Sequence, residues 1–185
     1  RQGQSTQEIF DLMVKTANNL GAPLDDVSNL FFRIANNTKD LGLTQRDQLA
    51  ITENLTKAFM MYGATTSEAQ GAVTQFGQAL ASGTLRGQEL NSILEQAPPI
   101  AEAIARKMGV TTGALKYLGE QGKITSKIVA DATKEMGDSF DRNWAQRIPT
   151  VENAWNTFRN SLTFGIADFD KTTGASAALS LAIVR

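Results

Sequence analysis

The chain has no cysteine and no histidine in its 185 residues. Without cysteine there are no disulfides, no thiolate nucleophile and no thiolate metal ligand, which fits a reducing compartment. Without histidine the usual general base, the commonest zinc ligand and the physiological pH switch are all missing. A Ser/His/Asp or Cys/His engine within this chain is therefore excluded. Proline is scarce, at four, and no stretch alternates β-branched residues between hairpin signals, so no strand is placed. No charged-then-apolar leader follows Arg1. The run Ala175 to Val184 is nearly all apolar or small, but it falls short of the ~20 residues that span a bilayer. It reads as the start of a longer hydrophobic helix, so membrane contact is expected only of the region after Ala175. With Arg1 in place of a methionine, the chain is expected to be a piece of a longer protein.

What is present is helix after helix, in a chain long enough to bury a real core. Ile9, Met13, Ala17 and Leu20 share one face of a helix at about 5–20; Val27, Leu30, Phe31 and Ile34 do so at 24–41. Thr44 with Asp47 can cap a third helix lined by Ile51, Leu55, Phe59 and Tyr62. Ser67 and Gln70 stand at capping-box spacing ahead of Ala69, Val73, Phe76 and Leu80. Short connections favour antiparallel neighbours, so residues 1–82 read as an N-terminal bundle sharing one core. Phe31 and Phe32 are adjacent and face different directions, which leaves one of them at least partly exposed.

From Gly83 the helices shorten, at 88–96, 99–108, 112–118 and 125–136, making a short-helix unit over 83–140. Residues 141–185 read as a C-terminal helical extension, in which Val151, Trp155, Phe158 and Leu162 form the apolar stripe beyond Pro149 and the outer face is polar. The expected class is all-α without a β-sheet.

The most distinctive segment is Ser82 to Ile100, SGTLRGQELNSILEQAPPI. Gly83 and Gly87 bracket Thr84, Leu85 and Arg86, which predicts a turn. Leu90, Ile93 and Leu94 then share a helical face; Pro98 ends the helix and Pro99 suits the first position of the next. Glu89 and Glu102 sit in first turns, where negative charge is favourable, whereas Glu95 lies near a helix C-terminus. Glu95 is therefore expected to take a specific partner, for which Arg86 is the candidate, tying together a hinge between the two units.

This segment and its flanks resemble the conserved N-terminal region of tail tape measure proteins from long-tailed bacteriophages and prophages. The resemblance is carried by residues 83–99 (GTLRGQELNSILEQAPP), 105–118 (ARKMGVTTGALKYL) and 119–125 (GEQGKIT), with weaker similarity at 40–44 (DLGLT) and 149–155 (PTVENAW). It marks Gly83, Leu85, Arg86, Gly87, Glu89, Leu90, Ile93, Leu94, Glu95, Pro98 and Pro99 as the candidate structural and interaction motif. It implies a structural and assembly protein, not an enzyme and without cofactors, that extends through the tail lumen and sets tail length. Its implied partners are tail assembly chaperones and tail tube or tail tip proteins. The implied location is the virion tail, with the host cytoplasm as the place of assembly, and the protein leaves the tail when DNA is delivered.

Charge is unevenly spread. Residues 1–105 hold 7 Lys/Arg against 11 Asp/Glu (−4), 106–134 hold 6 against 2 (+4), and 135–185 hold 5 against 6 (−1), summing to the net −1 of the whole. Such segregation can guide docking between copies or onto partners, though solvated helix faces are the blander reading. Gly122-Lys123 fails as a phosphate loop, because Tyr117 stands where the first glycine belongs and Ile124 where Ser or Thr must follow the lysine. Residues 112–136 offer a rival helix-turn-helix with Lys116, Lys123 and Lys127 toward phosphates, but without side chains suited to base edges. A carboxylate-based cell-wall hydrolase would need two of Glu89, Glu95 and Glu102 to converge in a cleft; helix-end electrostatics accounts for them more simply.

Overall fold

Capping chemistry sets where the third helix starts. The Thr44 hydroxyl accepts from the Asp47 backbone N–H at 3.1 Å while the Asp47 carboxylate accepts from the Thr44 N–H at 3.0 Å, the reciprocal pair of a capping box. Partial burial alone would push the Asp47 carboxyl up. The bonds from Thr44 and the ammonium of Lys134, 3.6 Å away, outweigh it and hold the group below the usual carboxylate range. Thr125 likewise caps the eighth helix, accepting from the Ile128 N–H at 3.4 Å.

The computed structural model describes residues 6–62, 66–137, 144–146 and 151–173. Among them are nine α-helices: α1 (Thr6–Leu20), α2 (Leu24–Thr38), α3 (Gln45–Met61), α4 (Thr66–Ala81), α5 (Gly87–Gln96), α6 (Pro98–Met108), α7 (Leu115–Glu120), α8 (Ser126–Lys134) and α9 (Val151–Thr173). Short 3-10 turns at Lys39–Leu41 and Thr112–Ala114 extend α2 and precede α7. The fold is all-α, with no sheet among the described residues. The side chains of the cap expected at Ser67 and Gln70, and the apolar run after Ala175, lie outside what the structure describes. No described helix is long and apolar enough to cross a membrane.

The four N-terminal helices do not share one core. α2 is apolar on two faces: Leu30 and Ile34 join α3 to α8, while Val27 and Phe31 join Ile9, Met13, Ala17, Leu20, Ala22 and Leu49 in a smaller cluster under α1. The wedge position of α2 splits the packing in two. The larger cluster runs from Leu30 to Met136 and takes in Leu85, Leu90, Ile93, Ile104, Leu115, Ile124 and Val129, so the core passes through the boundary read at residue 82. The aromatic pair behaves as its spacing requires. Phe31 is 2% exposed and Phe32 57%, with the rings edge-to-face at 5.4 Å.

α9 reverses the expected orientation. Its buried residues are Asn153, Asn156 and Asn160, at 4%, 6% and 4% exposure, whereas Trp155, Phe158 and Leu162 are 60%, 53% and 51% exposed. The polar face packs inward and the apolar stripe faces water.

Candidate interaction site

The Gly83–Gly87 turn is clasped to the loop that precedes α8. The Leu85 N–H donates to the Ile124 carbonyl at 2.8 Å and the Ser126 N–H to the Gly83 carbonyl at 3.0 Å, setting Thr84 opposite Thr125 in an isolated antiparallel bridge. The Ser126 hydroxyl donates to the Leu80 carbonyl and the Ser82 hydroxyl to the Ala79 carbonyl, so the last turn of α4 is closed by side chains from both sides of the clasp. Gly83 and Gly87 both take positive φ, +88° and +51°, as the turn requires.

Arg86 belongs to this clasp and not to Glu95. Its Nε donates to the Thr84 hydroxyl at 2.9 Å, and its guanidinium lies over Gly122, where an added Cβ would be 3.0 Å from it. Arg86 stands just ahead of α5 and Glu95 in its last turn, about 13 Å apart along the axis. Among the described residues no ion pair joins them, and both are exposed. The proposed internal tie is corrected: the nearer Thr84 hydroxyl and the Gly122 turn take the guanidinium.

The apolar positions of the segment are structural. Leu85, Leu90 and Ile93 are buried, and Leu90 meets α7 at Gly119, where a Cβ would be only 2.4 Å from its Cδ2. Leu94 and Pro98 line an open hollow of about 390 Å³ with Ala101, Glu102, Thr112 and Lys116. Pro98, not Pro99, takes the first position of α6, where its missing N–H costs nothing. The Glu89 side chain lies outside the described residues. Glu95 and Glu102 are exposed on successive helices, and among the described residues no group of three or more Asp or Glu is placed to hold a metal ion.

Three of the six basic side chains of residues 106–134 are paired within the fold. Lys127 reaches both Asp131 oxygens at 3.0 Å, Lys134 lies 3.6 Å from Asp47, and Lys107 is 2.6 Å from Glu135. The Glu135 hydrogen bond raises the Lys107 ammonium above its ordinary range. Arg106, Lys116 and Lys123 remain exposed, too few for a phosphate-tracking stripe.

The second surface is α9, which docks through asparagine. Asn153 and Asn156 both donate from Nδ2 to the Gly21 carbonyl at 3.1 Å. Asn160 donates to the Ala22 carbonyl at 2.9 Å and accepts from the Leu24 N–H at 3.1 Å. The turn between α1 and α2 presents backbone groups that an apolar face would strand, so amide side chains at i, i+3 and i+7 suit it better. The opposite face carries Trp155 against Phe158, ring centroids 5.7 Å apart. Periodicity missed this surface because the apolar stripe and the asparagine stripe have the same helical spacing.

A family model described as "Tape measure protein" matches residues 1–171. The chain is 22% identical over 163 residues to a probable tape measure protein of Lactococcus phage p2, and equally to one of Lactococcus phage SK1. Each match covers 85% of this chain and 16% of the relative, so the chain spans about one-sixth of the length of these curated relatives. No solved structure matches it.

Proposed function

The chain belongs to the tape measure protein family, and from that premise we propose that it is a folded structural module of a phage tail protein that acts by protein contact and carries out no reaction. The observation that carries the reading is the family match over residues 1–171. The geometry supports it: the most distinctive segment is absorbed by the clasp between Thr84 and Thr125, and the carboxylates Glu95 and Glu102 are exposed on successive helices. The whole protein, in a family whose curated relatives are several times longer than this chain, serves as the ruler of tail length. Its partners are tail assembly chaperones and tail tube or tail tip proteins, met first in the host cytoplasm and then in the virion.

The test uses the complete reading frame in the phage. Deleting residues in whole heptads outside this module shortens the tail by about 1.5 Å per residue if the ruler is an extended helix, as measured on electron micrographs. Tails of unchanged length would remove the ruler reading. Replacing Gly119 by Val inside the module breaks the clasp and is expected to abolish tails, not to change their length.

A further inference from the structure

Among the described residues, three of the six exposed large hydrophobic side chains, Trp155, Phe158 and Leu162, stand on one face of α9. The exposed seam advances by three and then four residues from Trp155 through Phe158 to Leu162, the 3.5-residue repeat of a coiled coil. Asn153, Asn156 and Asn160, which hold α9 to the α1–α2 turn, lie diametrically opposite that seam. The face is thus presented outward by a helix already anchored on its far side.

We propose that this face pairs with the same face of a second copy of the chain, antiparallel and about a two-fold axis. The charges flanking the seam decide for that occupant and that direction. Glu152 and Arg159 are both exposed, and neither has an ion-pair partner among the described residues. They are seven residues apart, two turns along one helix, about 10 Å, and so cannot satisfy each other within a copy. The antiparallel pair sets Trp155 against Phe158 of the second copy. Glu152 then faces Arg159 of the other copy, and the symmetry makes this contact twice. Ala154 and Ser161 meet on the other flank and are small enough for close approach. A parallel pair sets Arg159 beside Ala154 instead and leaves the charge unmatched. The central aromatic layers, rimmed by paired charges, have the composition of an interface core. The inference stands on α9 alone and does not depend on the ruler reading.

A seam this short makes an interface below the standard size, so association with a dissociation constant on the order of 10–100 µM is expected. Sedimentation equilibrium of the chain should show a monomer–dimer equilibrium in that range. Trp155→Ala with Phe158→Ala should abolish it while leaving the thermal unfolding of the dilute monomer unchanged. Glu152→Arg or Arg159→Glu alone should weaken the dimer about tenfold. The double swap, or an equimolar mixture of the two single variants, should restore it. Because the chain has no cysteine, direction can be read by oxidation: Ala154→Cys mixed with Ser161→Cys should give the mixed disulfide. A monomer at every concentration, homodisulfides of Ala154→Cys, or a dimer indifferent to Trp155→Ala would each overturn the proposal.

Discussion

Gly21 and Asn153 approach so closely that the turn between α1 and α2 has no room for a side chain: a Cβ on Gly21 would lie 2.4 Å from the Asn153 Cβ. Gly21 also holds φ at +62°, where an L side chain costs roughly 1–2 kcal/mol before any collision. Gly21→Ala is expected to destabilise by about 2 kcal/mol or more and to push α9 off its seat. Urea unfolding reads the first effect, and hydrogen exchange along α9 the second.

Asn160 joins the same turn through one acceptor and one donor, to the Leu24 N–H and the Ala22 carbonyl. Asn160→Ala strands both backbone groups and is expected to cost about 2–4 kcal/mol. Asn160→Asp keeps the acceptor but turns a carboxylate oxygen onto the Ala22 carbonyl. Its loss should therefore ease as pH is lowered and the acid protonates, a pH dependence that the alanine variant lacks.

Gly119 sits in α7, where alanine would normally add about 1 kcal/mol of helix propensity. The buried Leu90 Cδ2 lies 2.4 Å from the position of that methyl, and overpacking typically costs 1–3 kcal/mol, so Gly119→Ala should be destabilising overall. Leu90→Ala alone is expected to cost about 2–5 kcal/mol. The double variant should lose less than the sum, because the new methyl enters the space that Leu90 vacates. A double-mutant cycle measures that coupling.

Arg86 is tied to Thr84 and lies on the Gly122 turn. Glu95→Arg should leave stability within about 0.5 kcal/mol. Combining it with Arg86→Glu should rescue nothing, as thermal denaturation of the three variants will show.

The Asp47 carboxyl is held below its ordinary range by Thr44 and Lys134 against the opposing effect of burial. A depressed folded value means that its contribution is fully present above the unfolded value, near pH 4, and is lost as pH falls through the folded one. Melting temperature should therefore drop on acidification below about pH 4. Asp47→Asn should start lower and show a shallower drop over the same range.

Much of the architecture was legible from the chain. Thr44 with Asp47 and the split between Phe31 and Phe32 follow from local chemistry, and the structure reproduces them. What was not legible depends on contacts between distant segments. The Thr84–Thr125 bridge has no periodic signature, so helix-end electrostatics alone points Arg86 toward Glu95. α2 was read as having one face because Leu30 and Phe31 fit the same stripe, though they enter different clusters. In α9, hydrophobic patterning favours burying Trp155, but the seat it finds is a turn that aims the Gly21 and Ala22 carbonyls at the helix, where asparagine amides satisfy them. The asparagines at 153, 156 and 160 were the available signal.

The inverted seating of α9 is tested most directly by the fluorescence of Trp155 in a Trp144→Phe protein, diluted until the chain is monomeric. Trp155 should emit as a water-exposed indole and be quenched freely by acrylamide, while the amides of residues 153–160 remain protected from hydrogen exchange. A blue-shifted, shielded Trp155 in the monomer, with those amides exchanging freely, would contradict it.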